Sequence, residues 1–148
     1  MTVVNKVKIR KVTIKDFEEI FLLLKQLWPE KKLKKKRLFP VLSRAVRSKC
    51  DYYFCAEINK KIIGFCSLSV RNSFFADGYI GYIGELVVDK SFRGNGVGSK
   101  LLKTAIDEVK KRGCSVIELD SAFHRKEAHK FYLKNGFTNK GYIFSKNI

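Results

Sequence analysis

The sequence predicts an α/β fold: one domain, residues 1–148, with helices on the faces of a mixed, mostly antiparallel sheet. Three observations predict it. Short alternating or apolar runs fill the middle of the chain and enclose a hairpin signal at Asn59–Lys60. Helical periodicity appears twice before those runs and twice after them. The later strand-like runs are separated by helices, the spacing of a crossover connection rather than a hairpin. The predicted order is β, α, α, β, β, β, α, β, α, β, with no internal repeat and no linker.

"VKIRKV" (Val7 to Val12) alternates apolar and charged residues, as a half-buried strand does. Thr13 followed by Asp16 marks a helix start. Phe17, Ile20, Phe21, Leu24, Leu27 and Trp28 then recur at helical spacing until Pro29 stops them. "EKKLKKKRL" reads as a solvated basic loop leading into a short amphipathic helix. That helix should bury Leu38, Val41, Leu42, Ala45 and Val46, with Pro40 tolerated in its first turn. "YYFCAEINKKIIGFCSLSVR" is a strand pair. "FFADGYIGYIGELVVD" contains a third long strand that Gly78, Gly81 and Gly84 break or bulge. Residues 98 to 112 form the clearest helix, with Val97, Leu101, Leu102, Ala105, Ile106 and Val109 in one stripe and Gly113 as its stop. "SVIELD" is a short buried strand, Glu127 to Asn135 a helix ended by Gly136, and "GYIFSK" a final strand.

The chain has 148 residues, enough for a core without staples, and its 45% hydrophobic content is that of a globular protein. Its formal net charge is +17, which favours an anionic partner and bears on encounter rather than on fold. Cys50, Cys55, Cys66 and Cys114 contain no C-x-x-C pair. With no signal peptide recognisable, a reducing, cytoplasmic setting is expected. No apolar run approaches the roughly 20 residues of a membrane-spanning helix. His124 and His129 are five apart and do not share a helix face, so no metal site is expected.

"RGNGVGSKLL" is the most informative stretch. A Walker loop needs Gly-Lys-Ser/Thr, whereas Gly98 is followed by Ser99–Lys100, the wrong order. A dinucleotide fingerprint fits Gly94 and Gly96 but meets Ser99 at its third position, and "DKSFR" separates strand from glycine. A glycine turn at a helix N-terminus, which points backbone N–H groups at a pyrophosphate, fits every position, and Arg93 adds fixed charge at its rim.

With Arg93, Gly96 and Gly98 at the motif positions, this stretch resembles the acetyl-coenzyme A loop of the GNAT superfamily of N-acetyltransferases, (Gln/Arg)-x-x-Gly-x-(Gly/Ala). "AHKFYLKNGF" (Ala128 to Phe137) resembles that superfamily's second signature, and "LKQLW" and "FCSLSVR" are similar to aminoglycoside 6′-N-acetyltransferases. The resemblance implies six to seven strands flanked by about four helices, with strands splayed at the cofactor site. It implies acetyl-coenzyme A held by Leu86, Val87, Val88, Arg93, Gly94, Asn95, Gly96, Val97, Gly98, Ser99 and Lys100. Arg125 stands where many members carry an Asn, and would meet a phosphate instead. Tyr132 matches the tyrosine that protonates the departing thiolate, a reasonable task for a phenol of pKa about 10. Glu85 is the candidate base, taking the amine's proton in a direct attack within a ternary complex. Asp120 and Glu118 are its runners-up.

Trp28, Phe74, Phe75, Asp77, Tyr79 and Asp120 are expected around the acceptor. Expected partners are a small-molecule amine or a peptide amine, with no specific nucleic acid and no membrane, and a homodimer is allowed for. The alternatives carried are a protein N-terminal or lysine acetyltransferase and a basic nucleic-acid-binding module using residues 31–37. No nucleic-acid-binding motif supports the last.

Overall fold

The computed structural model describes residues 2–148. The elements run α1 (Val3–Lys6), β1 (Lys8–Lys11), α2 (Phe17–Leu27), α3 (Lys35–Arg47), β2 (Asp51–Ile58), β3 (Lys61–Ser73), β4 (Gly78–Val88), α4 (Val97–Lys111), β5 (Ile117–Leu119) and α5 (Lys126–Lys134). Single 3₁₀ turns lie at Ile14–Asp16 and Lys90–Phe92. The strands form one five-stranded sheet in the order β1-β2-β3-β4-β5, and the first three pairings are antiparallel. Contacts gather into two compact units, residues 1–118 and 119–148.

The class is the predicted one, and several details differ from expectation, among them Pro40, which lies inside α3 rather than in its first turn. The sheet has five strands rather than six or seven, because "GYIFSK" forms no strand: residues 138–148 carry no regular structure. Alternation marks a segment that can pair, but a strand exists only where a neighbour completes the ladder. The fifth helix is α1, a single turn that no capping signal announces.

Local chemistry fixes the remaining boundaries. Asp16 accepts from the Thr13 N–H at 2.7 Å and takes a two-pronged grip from Arg10, both bonds 2.9 Å, which locks the start of α2. Asn59 and Lys60 both take positive φ, 49° and 63°, as a tight hairpin requires. The helix α3 buries only Leu42 and Ala45. Val41 and Val46 remain exposed, so its apolar stripe is narrower than the sequence suggests.

The main core lies between the sheet and α2, with Phe17, Ile20, Phe21 and Leu23 packed toward Cys55, Ile62, Phe65 and Val87. On α4, Val97, Leu101, Leu102, Ala105 and Val109 are buried, and each such leucine contributes about 1.5–3 kcal/mol. Gly81 lets α4 sit directly on β4, since a Cβ there would overlap the Val109 side chain. Cys55 and Cys66 are fully buried, and burial pushes both thiols up to about 12, so they act as small apolar side chains.

Candidate functional site

The strand β4 reaches the site through a bulge. Glu85 faces Ser67 and Ile83 faces Leu68, so Gly84 is the extra residue. The buried Ser67 hydroxyl accepts the Glu85 N–H at 2.7 Å and donates to the Glu85 carboxylate at 2.8 Å. A Cβ at position 84 would come within 2.9 Å of that hydroxyl oxygen, so glycine leaves the room the clamp needs. Tyr53 is the neighbouring acid. Burial first, then the Glu85 and Asp51 charges, push its phenol up to about 12 and keep it neutral.

Beyond the bulge β4 continues through Leu86, Val87 and Val88 while its neighbour stops. The Gly81 N–H donates to Val116 O at 3.0 Å, and the strand that follows Val116 is three residues long. The end of β4 therefore runs past the three residues of β5.

The chain then turns into α4. Gly94 and Gly96 both lie in the left-handed region, with φ of 76° and 81°. Gly96 caps α4 and offers no side chain, and the helix ladder begins with Lys100 N–H to Gly96 O. The N–H groups of Val97, Gly98 and Ser99 are thus the orphan donors of the helix start, with the positive end of its dipole behind them. Asn95 bonds back to Phe92 O and Arg93 O, and Arg93 Nε to Val88 O at 2.9 Å, holding the turn against the strand end. This geometry fits a pyrophosphate: backbone donors, no obstructing side chain, and an exposed arginine at the rim.

Lys100 points elsewhere. Its ammonium donates to Val4 O and Val7 O, tying the first turn of α4 to the N-terminal segment rather than standing ready for phosphate. Val4 packs 3.5 Å from where a Gly96 Cβ would be. Sequence reasoning also missed Gln26, which donates to Asp89 at 3.1 Å and accepts from the Lys90 N–H at 2.9 Å. It joins the end of α2, and with it the neighbourhood of Trp28, to the end of β4. The Ser91 amide and then Gln26 hold the Asp89 carboxyl below its usual range. No residue spacing could have shown the pairing of Gln26 with Asp89. The Ser67 clamp had one sequence signal, the glycine before Glu85.

The acceptor set divides. Phe74, Phe75, Asp77 and Tyr79 sit at the opposite end of β4 from Glu85, roughly 20 Å away at the rise of a strand, and the structure does not bring them to the bulge. In residues 119–148, Tyr132 lies half-buried on α5, its ring edge-on to Phe131 at 5.4 Å and to Phe137 at 5.6 Å. Arg125 is the cap of α5, and Asp120 is exposed just after β5.

A glycine turn opening a helix after a bulged, overrunning strand is an arrangement that suits a mixed-sheet, acyl-coenzyme A-dependent transferase, with backbone donors for a pyrophosphate and a strand edge for an extended arm. The chain belongs to the Acetyltransferase (GNAT) family, whose model matches residues 14–137. That family takes its acetyl group from acetyl-coenzyme A. An aminoalkylphosphonate N-acetyltransferase of Salmonella typhimurium is 34% identical over 97 residues, 66% of this chain and 63% of its own. The chain thus matches under two thirds of that relative's length. The glucosamine-6-phosphate N-acetyltransferase structure from Arabidopsis thaliana superposes with a TM-score of 0.79 at 29% identity, covering 95% of this chain and 97% of that one. An aminoglycoside N-acetyltransferase solved with coenzyme A superposes at 0.84 over 95% and 94% of the two chains. At 21% identity, that likeness is one of fold.

Proposed function

We propose that the protein moves the acetyl group of acetyl-coenzyme A onto the primary amine of a small anionic molecule, by direct attack within a ternary complex. The observation that carries this reading is the left-handed glycine turn at the head of α4, which no side chain caps, with its orphan N–H groups and Arg93. Acetyl-coenzyme A supplies an activated acyl thioester. The chain's own residues do the rest. Val97, Gly98 and Ser99 offer N–H groups to the pyrophosphate, and Leu86–Val88, where β4 runs past the three-residue β5, offer a strand edge to the pantetheine arm. Glu85, fixed by Ser67, takes a proton from the substrate ammonium and so frees the neutral amine that attacks the thioester carbonyl. Tyr132 gives a proton to the departing thiolate.

Two features support an anionic acceptor. The relatives named for aminoalkylphosphonate and glucosamine 6-phosphate act on amines that carry phosphonate or phosphate. The net charge of +17 attracts such molecules and repels polycations. Protein acetyltransferases also occur among the relatives, so the test includes a peptide. Acetyl-coenzyme A should raise the unfolding temperature, and thiol release should be faster with an aminoalkylphosphonate or glucosamine 6-phosphate than with glucosamine or a peptide N-terminus. Absence of the thermal shift would overturn the cofactor assignment. Equal turnover of the charged and neutral sugars would overturn only the acceptor class.

A further inference from the structure

The β3–β4 hairpin ends in a turn at the pole of the sheet away from the glycine turn. Asp77 takes a φ of 54° there to reverse the chain. Phe74 and Phe75 stand on this turn with relative exposures of 104% and 99%. Single apolar residues scattered on a surface need no explanation, but two adjacent phenylalanines projecting bare from a hairpin tip form a patch. Cations collect at the same pole. Arg47 closes α3, Lys49 follows it, Arg71 lies on β3, and Lys110, Lys111 and Arg112 end α4. The register places them together: Asp51 at the start of β2 faces Ser69, the Val70 N–H donates to Cys50 O, and α4 nears its end beneath Gly81. Lys49, Arg112, Asn72, Tyr52 and Tyr79 line an open recess of about 240 Å³ beside the hairpin.

Acids at this pole are fewer than the cations: Asp77 on the turn itself, Asp51 at the start of β2, Glu108, 3.6 Å from Arg112, and Asp107, which bonds Lys103. Exposed phenylalanines projecting from a cationic, tyrosine-bearing rim have the chemistry of a surface that rests on a lipid interface. Phenyl rings enter the headgroup–acyl boundary, tyrosines sit at headgroup level, and lysines meet lipid phosphate.

We propose that this pole is a peripheral docking surface for anionic phospholipid membrane, with Phe74 and Phe75 as the inserting residues. The attachment is superficial, since no helix among the described residues is long and apolar enough to cross a bilayer. Charge argues against a second copy as the occupant: two chains of +17 would bring like-charged rims together. Shape argues against single-stranded nucleic acid, whose aromatic platforms lie in grooves that track a backbone, whereas Phe74 and Phe75 crown a convex turn.

The test is co-sedimentation of the full chain with phosphatidylcholine vesicles, with and without phosphatidylglycerol, at low and high salt. Binding is expected only with phosphatidylglycerol and should weaken as salt rises. Phe74→Ser with Phe75→Ser should weaken it by about tenfold or more. Lys110→Glu with Lys111→Glu should weaken it and flatten its salt dependence. Circular dichroism checks that each variant is folded. Failure to bind phosphatidylglycerol vesicles overturns the proposal, as does a phenylalanine double variant that binds like the parent. It is also overturned if sedimentation velocity shows a dimer that the phenylalanine variant dissolves, or if single-stranded oligonucleotide binds and depends on the same two residues.

Discussion

The glycine turn before α4 and the bulge at Glu85 lie close together in the chain and are built on opposite principles. The turn is held by its own sequence. Gly94 and Gly96 supply left-handed backbone, Asn95 and Arg93 bond to neighbours a few residues away, and the dipole belongs to the helix that follows. The bulge is held by another strand, because Ser67 is eighteen positions from Glu85 and supplies both bonds that fix it. A locally encoded turn suits a ligand that every member of a family shares. A carboxylate held across strands can change its setting when either strand changes.

Breaking the turn should have the largest effect. Gly96→Asp places a Cβ and a negative charge at φ 81°, where strain alone costs roughly 1–2 kcal/mol, and should abolish the acetyl-coenzyme A thermal shift. Glu85→Gln should leave that shift intact and lower kcat by about 10²-fold or more, the usual scale for a lost general base. An unchanged kcat in steady-state assays would remove Glu85 from the mechanism. Tyr132→Phe should likewise keep cofactor binding and lower kcat by about tenfold or more, read by thiol release.

Ser67→Ala sharpens the comparison further. It should lower kcat by about tenfold with KM for acetyl-coenzyme A unchanged, and Ser67→Thr should restore part of the loss. Equal loss in both constants would mean that the serine merely supports the fold. The smallest effect concerns acid stability. Arg10 first, then the Thr13 amide, hold the Asp16 carboxyl below its usual range, and Ser91 and Gln26 do the same for Asp89. A depressed pKa means stability that is present above the ordinary carboxylate pKa of about 4 and lost as pH falls below it. The unfolding temperature should therefore drop below about pH 4, less steeply in Asp16→Asn.

Much of this was legible beforehand for physical reasons that particular residues show. Thr13 and Asp16, Asn59–Lys60, Gly113 and Gly136 carry short-range backbone preferences, and the structure honours each of them. The α4 stripe is legible because five of its six apolar residues face one buried side. "GYIFSK" misled because alternation states only that a segment can pair. Val41 and Val46 misled because α3 meets the rest of the fold along a narrow line. Phe74 and Phe75 look like pocket residues in the sequence, and only the β3–β4 register shows that they crown the far end of the strand.

By itself, then, the sequence determined the glycine turn, the limits of α2, α4 and α5, the hairpin and the family, because each rests on interactions within a few residues or on a motif read in order. Tertiary structure alone decided that Ser67 holds Glu85, that Gln26 joins α2 to Asp89, that Lys100 binds the N-terminal segment and that the two phenylalanines stand apart from the bulge. Those depend on which distant positions the sheet register and helix packing bring within hydrogen-bond distance, and no local pattern encodes that.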